Sequence, residues 1–147
     1  MKRLLVAAAC VWPCLLALAV WARVGGRWPE AADGVYLLAS RICHQRPDRS
    51  FSFAGVYWPV CGRCAGLYLA APAGAVLAWI ARGPRPDRLL AQAVVAGAIP
   101  TAVTFVAEWV AHQPLGNVTR AVAAVPLGAV LAYTLVAVAP GTMRPIR

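Results

Sequence analysis

The chain has 147 residues, 61% of them hydrophobic and only 13% charged, with a mean hydropathy of +0.67. A soluble domain is usually about 45–50% apolar and about 25% charged, so these figures exclude a soluble globular enzyme, a disordered tail and a small disulfide-stapled domain. The net charge of +9, from thirteen Arg and one Lys against five acids, falls mostly between hydrophobic runs, so a membrane explains it before nucleic acid does, and no nucleic-acid partner is expected.

Uncharged runs mark the expected spans in chain order. Leu4 to Ala22 follows Met1-Lys2-Arg3 and stops at Arg23; Cys64 to Ala81 lies between Arg63 and Arg82. Leu89 to Ala107 lies between Arg88 and Glu108, and Ala121 to Met143 between Arg120 and Arg144. Each run has 18 to 23 residues, enough to cross about 30 Å of hydrocarbon as a helix. None shows the period-2 alternation of a membrane β-barrel. The expected architecture is all-α: one integral membrane domain over residues 1–147, a four-helix bundle with spans near 4–22, 60–81, 89–109 and 120–141. The first run, too long for a typical signal h-region, reads as a retained helix. Pro13, Pro72, Pro100 and Pro126 fall inside spans, where neighbouring groups can satisfy the carbonyls they free. Gly74, Gly97 and Gly128 permit close helix contact.

With four spans, Lys2, Arg3, Arg82, Arg85, Arg88, Arg144 and Arg147 share one face, and Arg23, Arg27, Arg41, Arg46, Arg49, Arg63 and Arg120 the other. The count is even. Arg63 and Arg120 sit at span edges and read as site residues, and the first face is built of short segments, where the positive-inside rule works best. The expected protein is therefore a multi-pass protein of the cell membrane with cytoplasmic termini and the polar segment 23–59 outside. Trp21, Trp28, Tyr57, Trp58 and Trp109 cluster near one headgroup level, and Trp79 lies near the other.

Within the polar segment, Asp33 is positioned to cap a short helix over 34–44, with Val35, Leu38 and Ile42 on one face. Such an amphipathic helix is expected to lie along the membrane surface between the first and second spans. Ile42-Cys43-His44-Gln45 follows at its end, then the turn-prone stretch Arg46-Pro47-Asp48-Arg49-Ser50-Phe51. Trp58-Pro59-Val60-Cys61-Gly62-Arg63-Cys64 is expected to open the second span, with Pro59 in its first turn. Cys61 and Cys64 then share a face of that turn, where helix N–H groups and Arg63 favour a thiolate.

Cys43-His44-Gln45-x-x-x-Arg49-Ser50-Phe51 followed by Pro59-Val60-Cys61-x-Arg63-Cys64-x-Gly66-x-Tyr68 resembles the signature of the predicted membrane proteins grouped as domain-of-unknown-function family 2085. Pro100, Asn117, Arg120 and Gly128 fit the second half of that family's pattern. The resemblance covers roughly residues 35–130. It implies a small polytopic membrane protein and assigns no activity.

Topology brings Cys43, His44, Cys61, Arg63, Cys64, Glu108, His112, Asn117 and Arg120 to one membrane face, with Glu108 and His112 spaced to share a helix side. Several readings follow. Cys43, His44, Cys61 and Cys64 supply three sulfurs and an imidazole, a set that suits zinc or another transition metal, with Glu108 or His112 as further ligands. The Cys61-x-x-Cys64 pair also suits a thiol–disulfide redox protein, with Cys43 as exchange partner. Arg49, Arg63, Asn117 and Arg120, with Arg46, suit the phosphate of an anionic lipid, in a lipid-binding or transport role. The blandest reading makes the Cys and His satisfied core residues, with Arg63 and Arg120 paired to Glu108 or snorkelling. Cys10 and Cys14, one turn apart in the first span, read as small apolar residues. No phosphate loop, dinucleotide glycine pattern, hydrolase serine elbow or HExxH occurs.

Overall fold

A computed structural model describes residues 1–81, 87–110, 112 and 114–140. Arg82, Arg85, Arg144 and Arg147, counted above toward one face, and Gly141 at the end of the fourth expected span lie outside these residues. In chain order the elements are α1 (Lys2–Val24), α2 (Pro29–Ser40), a 3-10 turn (Pro47–Arg49), β1 (Ser50–Phe53), β2 (Val56–Cys61), α3 (Gly62–Ile80), α4 (Asp87–Val110) and α5 (Asn117–Val138). Four of the helices, α1, α3, α4 and α5, are long and apolar enough to cross a membrane. The shortest of them, α3, has 19 residues and reaches about 28 Å at a rise of 1.5 Å per residue.

Helices α3 and α5 form the most extensive pairing; α1 packs on α3, and α4 leans on α5. The α3–α5 approach rests on absent side chains. A Cβ added at Gly66 would overlap the Ala121 backbone, one at Gly74 the Ala129 backbone, and one at Gly128 the Leu67 backbone. These glycines fall on the facing sides of both helices, so the backbones themselves come into contact, as in small-xxx-small membrane pairs. Gly97 of α4 meets Pro126 of α5 more loosely, at 3.2 Å from an added Cβ. Thr101 donates its hydroxyl to the Ala123 carbonyl at 2.9 Å, giving α4 a polar tie to α5. Val6, Ala75, Ala78, Ala132 and Val136 close the core where α1, α3 and α5 meet. Apolar side chains on the outer face of α4, including Val95, Ile99, Val103 and Phe105, stay exposed, as helices that face lipid require.

The polar segment differs from its expected layout in two places. Helix α2 starts at Pro29, not after Asp33, because proline in the first helical turn has no N–H to leave unpaired. Asp33 therefore lies inside the helix, where its carboxylate accepts from Arg23 of α1 at 2.6 Å. Arg23 also stacks over the Tyr36 ring at 3.5 Å, so one guanidinium clamps α2 to the end of α1. The buried side of α2 is Ala32 and Ala39 with Val35 and Tyr36 packed beside them, while Leu38 and Ile42 are exposed. Residues 50–61 form an antiparallel hairpin, with Pro59 in β2 and not in a helix. Its tip is Ala54-Gly55, both at positive φ (49° and 81°), the type I′ geometry that matches strand twist. The second span therefore opens at Gly62.

Candidate functional site

Chain geometry after α2 sets the first cysteine. Cys43 N–H donates to the Ala39 carbonyl at 2.9 Å, holding the residue against the end of α2. Its side chain is buried with Leu16, Ala39, Val60 and Ala65. Gln45, at φ 49°, turns the chain back, and its amide donates to the Tyr36 carbonyl at 2.7 Å and the Pro59 carbonyl at 2.9 Å. That single side chain stitches α2 to β2. Strand β2 ends at Cys61, which is extended (φ −70°, ψ 166°) and is the N-cap of α3. Cys64 is three residues on, so N-cap and third helical position face each other as in a capping box.

These placements converge. The Sγ atoms of Cys43, Cys61 and Cys64 all lie within 4.8 Å of one another. The Cys61 N–H also donates to Cys43 Sγ at 3.2 Å. No disulfide joins these residues; all are free thiols. The hydrogen bond from the Cys64 thiol is the main reason the Cys61 pKa falls to about 5, against the opposing effect of burial; N–H groups of the first turn of α3 and the Cys43 thiol add to it.

Beside the sulfurs lies a second, ionic group. Glu108 of α4 accepts from Arg63 Nη2 of α3 at 2.6 Å and from Arg120 Nε of α5 at 2.6 Å. Arg120 Nη1 donates to Asn117 Oδ1 at 2.8 Å, and the Asn117 amide donates to the Ser50 carbonyl of β1 at 2.9 Å. Ser50 is itself buried, with its hydroxyl donating to the Arg46 carbonyl at 2.9 Å. Three helices and the hairpin are joined at one end of the bundle. One carboxylate serving two largely buried guanidiniums keeps each charge paired where water is scarce.

Between the two groups is a cavity of about 290 Å³. Cys43 and Cys61 form part of its wall, Gln45 another, and Arg46, Arg49, Arg63 and Arg120 supply the positive charge. His44 reaches the same cavity but is exposed and lies outside the three-sulfur group. Arg46 and Arg49 both pair with Asp48, whose carboxyl the Arg46 guanidinium holds below the usual carboxylate range.

The structure thus brings together Cys43, Cys61 and Cys64, and separately Arg63, Glu108, Asn117 and Arg120, with Arg49 on the cavity they share. His112 stands apart: α4 ends at Val110, and His112 is exposed at φ 48°, off the helix side expected to carry it with Glu108. Two structural parts of the site lack a role in the sequence reading, the Gln45 bridge and the Ser50 anchor for Asn117. The Ser50-Phe51-Ser52-Phe53 alternation before Ala54-Gly55 is the signal that could have revealed the hairpin and hence the second of them.

Comparison with known proteins finds a family match over the segment that carries these residues. The family model described as "Predicted membrane protein (DUF2085)" matches residues 43–134, from the first site cysteine to beyond the glycine contacts of α5. A protein of Methanothermobacter thermautotrophicus, described as uncharacterized, is 37% identical over 93 residues, covering 62% of this chain and 81% of its own length. An uncharacterized protein of Methanocaldococcus jannaschii is 38% identical over 50 residues, 34% of this chain and 32% of its own. No solved structure matches the chain. With its three-cysteine group, its buried arginine–glutamate knot and four apolar helices all held within or around the matched segment, the chain belongs to the DUF2085 family of predicted membrane proteins.

Proposed function

We propose that this is a multi-pass membrane protein in which Cys43, Cys61 and Cys64 bind a thiophilic transition metal, zinc above all. The observation that carries the reading is the convergence of three free sulfurs within 4.8 Å. Zinc–sulfur bonds of about 2.3 Å in a tetrahedron put ligands roughly 3.8 Å apart, so small side-chain shifts would close these thiols on one ion. Metal binding requires deprotonated thiols, and a depressed Cys61 pKa favours the first bond. His44, next to Cys43 in the chain, is the nearest candidate for a fourth ligand; coordination by it would make a closed, structural site. A fourth position left to water or substrate would make the site reactive. Glu108 is engaged by two guanidiniums, so recruiting it would strand both. Metal analysis of the chain purified under reducing conditions tests the proposal: about one zinc per chain is expected. Absence of zinc, iron and copper overturns it.

A second reading, thiol–disulfide exchange, is favoured by the lowered pKa of the Cys61 thiol and by Cys64 one turn away. In it the Cys61 thiolate attacks one sulfur of a partner disulfide, whose other sulfur leaves and takes a proton. The Cys64 sulfur, giving up its proton, then attacks Cys61 Sγ of the mixed disulfide, forming the Cys61–Cys64 disulfide and releasing the partner as a dithiol. Thiol labelling in cells separates the two readings, since exchange requires a reversible Cys61–Cys64 disulfide and metal binding requires none. For either role the proposed setting is the cell membrane, with cytoplasmic termini, the site on the outer face and α2 lying along the membrane surface.

A further inference from the structure

We infer that the cavity beside the three cysteines is a binding site for a phosphate group, free or carried by a lipid headgroup. Four guanidinium groups, those of Arg46, Arg49, Arg63 and Arg120, line it, and the carboxylates paired with them are two, Asp48 and Glu108. The wall therefore keeps a surplus of two positive charges, and one positive charge remains even with a dication on three thiolates. Arg63 also carries a buried Nε with no hydrogen-bond partner, and the buried Nε of Arg49 makes no hydrogen bond either, its nearest carboxylate oxygen on Asp48 standing at 3.7 Å. A buried donor without a hydrogen bond is costly, and guanidinium forks match the paired oxygens of phosphate better than a single water molecule or a chloride ion. Arg120 is fixed by Glu108 and Asn117, so its remaining donors are held in place before any ligand arrives. At about 290 Å³ the space suits a compact group; drug-sized ligand pockets start near about 300 Å³. The site lies at the end of the bundle where α3 and α5 begin and α4 ends, so a headgroup and a solute both have a route to it. The inference does not depend on a metal at the cysteines.

The test uses the full chain in phosphatidylcholine nanodiscs. Radiolabelled inorganic phosphate in equilibrium dialysis at low salt is one probe; phosphatidylglycerol added to the nanodisc and retained through delipidation is the other. Arg46→Gln combined with Arg49→Gln is the informative variant, because both residues sit at the 3-10 turn outside the spanning helices. Saturable binding of at least one probe is expected, weakened about tenfold or more by the double variant, as loss of charge-assisted hydrogen bonds implies. Arg27→Gln, exposed and away from the cavity, should leave it unchanged. Binding of phosphate alone identifies a solute site, and retention of phosphatidylglycerol alone a headgroup site. If the double variant fails to fold, Arg49→Lys, which keeps the charge and loses the fork, should still weaken binding several-fold. Binding of neither probe, or binding indifferent to these variants, overturns the inference.

Discussion

Arg63 and Glu108, 45 residues apart in the chain, meet at 2.6 Å with side chains only 15% and 10% exposed. The same carboxylate holds Arg120, so α3, α4 and α5 share one ionic junction. Helix α4 has few other buried contacts, since its outer face is apolar and exposed. The junction, the Thr101 tie and the Gly97–Pro126 approach therefore fix where α4 sits against the other helices.

Glu108→Gln should destabilise the protein more than any other single change in α4. It leaves two guanidiniums without a counter-charge in a poorly hydrated site, at a cost of about 3 kcal/mol or more. Thermal unfolding in detergent should show a clearly lower midpoint, with Glu108→Asp intermediate. An unchanged midpoint for Glu108→Gln would mean that water already serves those arginines.

The cysteines divide into two sets. Cys43→Ser, Cys61→Ser and Cys64→Ser should each abolish stoichiometric zinc, because each supplies one of three converging sulfurs. Cys10→Ser and Cys14→Ser, a turn apart in α1 and outside that group, should retain it. Chelation of the wild type should lower its melting midpoint, since metal bound only by the folded state stabilises it. Equal zinc content across all five variants would place the metal elsewhere.

Close approach of α3 and α5 gives a packing prediction. Gly66→Leu puts a branched side chain where even a Cβ overlaps the Ala121 backbone, so the helices must part along the seam that carries the site. Overpacking of this kind typically costs about 1–3 kcal/mol, and here metal binding should fall as well, since Cys64 lies two residues from Gly66. Gly34→Ala is the matched control, as nothing lies within 4 Å of an added Cβ there. Equal stability of the two variants would rule out the backbone contact.

The four spans were legible because bilayer thickness imposes a length that uncharged runs report directly: Leu4 to Ala22 lies inside α1, and Leu89 to Ala107 inside α4. The three cysteines were legible as a group because Cys61 and Cys64 are one turn apart and topology brings Cys43 to the same end. The hairpin was not, because Pro59 reads equally as a helix starter and as an edge-strand residue, and period-2 alternation over four residues is a faint signal. Nor was the start of α2, where the capping preference of Asp33 competed with Pro29 and its pull toward Arg23 decided otherwise. For His112 the gap was helix length: spacing from Glu108 is informative only if the helix continues, and it stops at Val110.

Gln45 offers the sharpest link between local structure and the site. Its amide spans the Tyr36 and Pro59 carbonyls, and it follows Cys43 by two residues, so it sets how far the α2 end stands from the strand that carries Cys61. Gln45→Ala removes both donors and leaves two carbonyls to find water, costing about 1–3 kcal/mol locally. The spanning helices do not use this bridge, so the melting midpoint should move little. Zinc affinity should instead fall by about tenfold or more, the usual size of an effect from losing a residue that orients ligands. Gln45→Glu, similar in shape but without the donating amide, should behave like alanine. Competition with a chromogenic chelator measures the affinity, and hydrogen exchange at residues 36–45 measures the loosening. Loosening without any loss of affinity would show that Cys43 is positioned by its own bond to Ala39 alone.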